Sequence, residues 1–363
     1  MAGDTMTFED VLFEVRGAVG VATLNRPKAL NALTTDMIRH LHPRLDAWAA
    51  DPGVKAVVVR GAGDRAFCAG GDIRAIYDSG LAARRGEGDG QAARDFFREE
   101  YRLDHRVKTL PKPYVALLDG IAMGGGVGIS VHGSHRVVTQ KALFAMPETG
   151  IGLFPDVGGT FFLPRCPGRI GTWLGLTGAR LGAADLLYAG IGTHFVPSEA
   201  LDALVADLAS ADWSGDAHAA VDAVLARHAA DPGEATLPAL RPAIDRCFGF
   251  DTVEEIVAAL EREGTEWAAQ TRAGLLRNSP TSLKVTLSQL RQGERLSFDE
   301  ALKLEYRMTR AVLDGHDVYE GIRATIVDKD RNPKWNPATL AEVGEADVAR
   351  HFRPLGADEL SFG

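Results

Sequence analysis

The chain has 363 residues, 45% of them hydrophobic and 25% charged, with a formal net charge of −9. That balance excludes a globally disordered chain and excludes the basic footprint that general nucleic-acid binding requires, while a small anionic ligand needs only a local Arg/Lys cluster. The length suits one large domain with an appendage, or two domains.

In chain order, residues 11–15 and 20–24 read as strands joined by a turn at Arg16-Gly17-Ala18. Asn25-Arg26-Pro27-Lys28-Ala29-Leu30-Asn31 is a turn. Thr34 or Thr35 then caps a helix carrying Met37, Ile38, Leu41, Leu45 and Trp48 on one face. Asp51-Pro52-Gly53 stops that helix, and residues 54–60 form a compact β-branched strand. Residues 80–91, polar and Gly-rich, read as a mobile surface loop. In the helix expected over 92–107, Phe96, Glu100, Leu103 and Val107 fall on one stripe. Glu100 is thus placed as a buried acceptor or as an edge residue snorkelling to water. Residues 113–118 and 136–139 read as buried strands, and the recurring β-β-α-β order favours an α/β class. Past Gly190 the pattern turns helical, with Pro280-Thr281-Ser282 opening one helix and a Ser297/Glu300 capping box opening another.

Two segments concentrate the chemistry. Glu148 and Asp156 lie in Phe144-Ala145-Met146-Pro147-Glu148-Thr149-Gly150-Ile151-Gly152-Leu153-Phe154-Pro155-Asp156-Val157-Gly158-Gly159, a stretch without Lys or Arg. Carboxylates among apolar neighbours are expensive to desolvate, so they mark a site or a capped turn; Asp156 can also cap a helix opening at Val157-Gly158-Gly159. The run Gly120-Ile121-Ala122-Met123-Gly124-Gly125-Gly126-Val127-Gly128 lets backbone N–H groups approach a ligand. It has neither the Lys of a P-loop nor the third glycine of a dinucleotide fingerprint. Gly70 and Gly71 precede Asp72, a candidate cap for a helix from Ile73. Two neutral amides, one from each glycine segment, suit a developing thioester oxyanion.

These residues resemble the crotonase (enoyl-CoA hydratase/isomerase) superfamily, through Asn25 to Leu33, Phe67-Cys68-Ala69-Gly70-Gly71-Asp72-Ile73 and the glycines of 123–128. The resemblance narrows to the 3-hydroxyisobutyryl-CoA hydrolase branch. It does so through Phe96-Phe97-Arg98-Glu99-Glu100-Tyr101, the acidic loop, Leu176-Thr177-Gly178 and the terminal run from Gly315-His316-Asp317 to Pro333-Lys334-Trp335. It implies a ββα spiral core (1–205) and a helical C-terminal region (206–363). It implies an oxyanion hole from the Gly71 and Gly125 amides, Glu148 as catalytic acid/base or nucleophile, and Asp156 as the hydrolases' second acid. Glu100 matches a substrate-binding glutamate. Lys28, Ala29 and Leu30 match the turn that contacts CoA, and Ala69, Asp72 and Gly124 complete the expected substrate-binding set. Hydratases carry a second glutamate where this chain has Gly128, which speaks against two-glutamate hydration.

The expectation is therefore hydrolysis of an acyl-CoA thioester, 3-hydroxyisobutyryl-CoA or 3-hydroxypropionyl-CoA, with no cofactor beyond the substrate's own CoA. The alternatives are an enoyl-CoA hydratase/isomerase and a CoA binder without turnover. Arg26, Lys28 and Lys329 are candidates for the CoA phosphates, while His132 and His135 read as structural. Cys68, Cys166 and Cys247 make neither a zinc spacing nor a disulfide framework. Residues 1–10 hold three acids and no basic residue, the wrong chemistry for a targeting leader. No apolar run reaches the roughly 20 residues that span a bilayer. Together these predict a cytoplasmic protein with no membrane or nucleic-acid partner, and a homo-oligomer, trimer or dimer of trimers, is implied by the resemblance.

Overall fold

A computed structural model describes residues 7–362; residues 1–6, part of the stretch read as lacking a leader, lie outside them. Among the described residues ten strands form two sheets. β1 (Thr7–Phe8), β2 (Val11–Arg16), β3 (Val19–Leu24), β4 (Ala56–Gly61), β6 (Tyr114–Leu118), β8 (His135–Val138) and β10 (His194–Phe195) make a seven-stranded sheet in that order. β5 (Ala66–Cys68), β7 (Ile121–Met123) and β9 (Leu143–Ala145) make a three-stranded one. β2 and β3 are an antiparallel hairpin turned at Gly17, whereas β3, β4, β6, β8 and β10 run parallel.

The parallel strands are buried on both faces, so they carry unbroken runs of Val and Ala in place of polar alternation. Val19, Val21, Ala56, Val58, Val115, Leu117 and Val137 recur at every second position and form one core with Leu201, Leu204, Val205 and Leu208, and with Val221, Val224 and Leu225. Each fully buried Val or Leu contributes on the order of 1.5–3 kcal/mol. The first long helix, α1 (Thr35–Ala50), starts where Thr34 accepts a hydrogen bond from the Met37 amide, and it buries the expected stripe.

The chain divides into two compact units that interleave along the sequence. One holds the described residues up to Gly71 with Arg102–Phe144 and Leu181–Leu237; the other holds Asp72–Tyr101, Ala145–Arg180 and the described residues from Pro238 onward. No single cut near residue 205 reproduces this division. In the second unit the capping box of Ser297 and Glu300 opens the helix Phe298–Asp314, and Ser279 caps Pro280–Gly293.

The loop expected over 80–91 is shorter, 85–90. α2 (Ile73–Arg84) continues through Gly80, against which the Tyr319 ring closes, and α3 (Gln91–Thr109) starts where the loop was expected to end. The helix keeps a glycine at position 80 because a side chain there would meet the Tyr319 ring. Among the described residues no helix is long and apolar enough to cross a membrane.

Candidate active site

Each unit assembles its own set of groups. In the first, Lys28 and Ala29 lie on the short 3-10 turn Pro27–Ala29, and Leu30 ends it in the left-handed region. Buried Asn31 fixes the turn: its amide nitrogen donates to the Ala62 and Ala66 carbonyls, and its oxygen accepts from the Arg26 amide. The Arg26 guanidinium donates to the Ala32 carbonyl at 2.7 Å, so it braces the turn. Lys28 remains exposed. The Ala69 amide is committed to the Leu30 carbonyl at 3.0 Å. Gly71 bridges in parallel to Leu33.

α4 (Gly125–Val131) opens at Gly124, whose backbone (φ 47, ψ −124) is closed to residues with a side chain. As the first helical residue, Gly125 has an amide with no intrahelical acceptor, the donor expected of an oxyanion hole. Behind α4 stands Asp104, fully buried on α3 and not singled out in the sequence. A Cβ at Gly128 would lie 2.5 Å from its Oδ1. The glycine that departs from the hydratase pattern is therefore a steric requirement. The sequence signal was available, since Asp104 lies one turn after Glu100. In the same unit His135 is buried, bonded to Asp222 and Ser134, and its pKa is lowered by burial.

The second unit holds the acids. Pro147 leads into the 3-10 turn Glu148–Ile151, which places Glu148 at its first position. Thr149 anchors the turn: its hydroxyl donates to the Leu176 carbonyl, its carbonyl accepts from the Ser279 amide, and Asn278 donates to its hydroxyl. Gly321 lets the terminal helix Asp317–Ile322 touch the Ile151 backbone from the other side. Two motifs that looked unrelated, Leu176-Thr177-Gly178 and the terminal run, are thus supports of one turn. The terminal run also closes on itself, because Arg323 pairs with Glu320, Asp328 and Asp330.

Glu148 and Asp156 are each only 4% exposed. Burial, with the Asp156 charge added, pushes the Glu148 pKa well above the carboxylate range. Glu148 Oε2 has no hydrogen-bond partner among the described residues. Burial pushes Asp156 up to about 7, opposed by the Tyr101 hydroxyl, which donates to its Oδ2 at 2.9 Å. The same hydroxyl lies 2.8 Å from Thr309 Oγ1. Glu100 is buried on α3, so the stripe reading holds over the edge reading.

Asp156 does not cap the helix that follows. The cap position of α5 (Gly159–Phe162) is Gly158, and the carboxylate serving its amides comes from Glu305 on Phe298–Asp314. Asp72 occupies the cap position of α2 without a side-chain capping bond. Glu305 and Tyr101 were both missed, since a Glu and a Tyr on long amphipathic helices carry no local signal. Lys329 is exposed, in the left-handed region.

A family model for enoyl-CoA hydratase/isomerase matches residues 19–352. The chain belongs to the enoyl-CoA hydratase/isomerase family. Within it, the chain is similar to "3-hydroxyisobutyryl-CoA hydrolase, mitochondrial" of Danio rerio, with 49% identity over 97% of this chain and 91% of that protein. The protein of the same name from Homo sapiens is 47% identical, across 100% of this chain and 93% of its own length. A solved structure of a carnitinyl-CoA dehydratase from Mycobacterium thermoresistibile is 46% identical and superposes with a TM-score of 0.90, covering 98% of this chain and 99% of that one. The crotonase fold expected from the sequence is the fold of this family member.

The cytoplasmic placement is overturned: these curated relatives are named as mitochondrial proteins. Unpaired cysteines fit any reducing interior, and neither the composition of residues 1–10 nor the lack of a bilayer-length apolar run singles out the cytosol.

Proposed function

We propose that this family member hydrolyses 3-hydroxyisobutyryl-CoA to 3-hydroxyisobutyrate and CoA, a step of valine breakdown. The observation that carries the reading is the buried pair Glu148 and Asp156, with Gly128 barred from holding a hydratase's second acid by Asp104. The names of the relatives at 47–49% identity support the same reaction.

In this proposal the Glu148 carboxylate, with one oxygen bare of hydrogen bonds, attacks the thioester carbonyl carbon. The Gly71 and Gly125 amides hold the oxyanion, the C–S bond breaks, and CoA leaves as thiolate and takes a proton from solvent. The ionised Asp156 accepts a proton from the water that attacks the Glu148 carbonyl of the anhydride, the acid is released, Glu148 is restored as a carboxylate, and Asp156 returns its proton to solvent. Glu100 accepts a hydrogen bond from the substrate 3-hydroxyl, and Lys28, Ala29, Leu30, Ala69, Asp72 and Gly124 contact the CoA ester. No cofactor enters. The proposal includes a homo-oligomer, readable by light scattering.

Free-thiol release from 3-hydroxyisobutyryl-CoA, compared with hydration of crotonyl-CoA, tests the reading. The expected result is rapid thiol release and little hydration. Robust hydration without thiol release would instead establish the alternative, to which the dehydratase relative points. In H₂¹⁸O, a first turnover that delivers ¹⁶O to product and ¹⁸O to Glu148 supports the anhydride route with water attacking the Glu148 carbonyl, and ¹⁸O in the first product overturns that route.

A further inference from the structure

We propose that Glu305 is a positioning residue for the reaction: by clasping the amides of Gly158 and Thr160 it holds the loop 156–160, and with it the Asp156 carboxylate, in the acting geometry. This rests on the role assigned above to Asp156.

Three observations carry it. Glu305 is completely buried, and its two oxygens each accept one backbone N–H, at 2.7 Å from Gly158 and 2.8 Å from Thr160. These two donors sit at the N-terminal end of α5, two and four residues after Asp156, and the loop has a second brace in Gln289, which donates to the Pro155 carbonyl and to Thr160 Oγ1. Between Asp156 and Gly158, Val157 sits at φ 51. A β-branched residue in the left-handed region is a true outlier and persists only where its surroundings impose it. A carboxylate that grips the backbone one residue beyond the strained position is such an imposition.

The titratable groups facing Asp156 are Glu148 on its turn, Tyr101 on α3 and Glu305 on Phe298–Asp314, with Glu100 acting on Tyr101. Burial pushes Glu305 up to about 8, and the Asp156 charge pushes in the same direction. Glu305 therefore stays largely uncharged while Asp156 ionises, and it acts on the loop through its two hydrogen bonds.

Two substitutions test the clasp. In Glu305→Gln one oxygen can still accept, but the amide nitrogen confronts the other N–H as a second donor. Glu305→Asp keeps the carboxyl and falls one methylene short of the loop. Both variants should lose at least tenfold in kcat with KM changed less than threefold. The acid limb of kcat should stay in place in both. Adding Val157→Gly, which removes the strain the clasp opposes, should restore several-fold activity to Glu305→Asp. A folded Glu305→Gln with kcat within twofold of the parent overturns the proposal. If Glu305→Gln does not fold, the Val157→Gly rescue decides: rescue supports the clasp, and its absence overturns it. Asp156→Asn is measured alongside. Normal turnover there removes the assigned role of Asp156, whereas its loss beside an unaffected Glu305→Gln overturns the positioning role alone.

Discussion

Glu148, Asp156 and Glu305 are three carboxyls of one unit buried together, and burial raises each of them. A carboxyl whose pKa is higher in the folded chain favours folding while it is protonated. For Asp156 that contribution is intact below its ordinary value of 3.8 and is lost as pH rises through about 7. Asp156→Asn should therefore gain Tm over the parent progressively between about pH 4 and pH 7 and hold a constant advantage above; a Tm difference flat with pH would contradict it. For activity, the ionised acids are the working forms, so kcat/KM should climb through neutral pH. Tyr101→Phe deletes the bond that favours the Asp156 carboxylate, so it should shift that climb to higher pH and slow the enzyme more at pH 6 than at pH 9. Glu148→Gln should cost at least about 10²-fold in kcat while Tm holds or rises. Glu100→Ala should erode the preference for 3-hydroxyisobutyryl-CoA over isobutyryl-CoA, because a site built for a hydroxyl penalises its absence. Equal slowing of both esters would make Glu100 a support of the fold.

At the scale of elements, α3 and the helix Phe298–Asp314 do most of the placing. Glu100 and Tyr101 come from the first, Glu305 and Thr309 from the second. Glu148, Asp156 and Glu100 were legible in the sequence because carboxylates in apolar company stand out. Tyr101 and Glu305 were not, because each acquires its meaning from a partner distant in the chain: 55 residues for Tyr101 with Asp156 and 147 for Glu305 with Gly158. Gly128 was legible only as a departure from a pattern; its cause is the Asp104 carboxylate. Gly128→Glu should then fail to create a hydratase and should destabilise the fold by about 1–3 kcal/mol through overpacking. Asp104→Ala in the same chain should recover part of that loss in a denaturant titration. A Gly128→Glu variant as stable as the parent would refute the steric account.

Over the whole molecule, five strands of the larger sheet and several helices followed from local patterns: β-branched runs, the Thr34 cap, the Ser297/Glu300 box. The division of the chain did not, because its units are discontinuous and no composition shift marks the crossings at 71, 101, 144, 180 and 237. A fragment ending at residue 205 lacks most of the second unit while retaining its segments 72–101 and 145–180. Such a fragment should give no cooperative thermal transition by circular dichroism; a sharp, reversible melt would show that the N-terminal part folds alone.

The three buried thiols offer a clock on native-state opening. Cys68 belongs to one unit, Cys166 and Cys247 to the other, and burial holds the Cys166 thiol up at about 12. A buried, un-ionised thiol is inert to disulfide reagents, so in the folded enzyme a chromogenic disulfide registers only the CoA set free by turnover. Under mild denaturant, without substrate, the same reagent counts openings. One equivalent in the early phase would report that the sheet-bearing unit yields first, two that the acid-bearing unit does, and three at once that the interleaved chain comes apart as a whole.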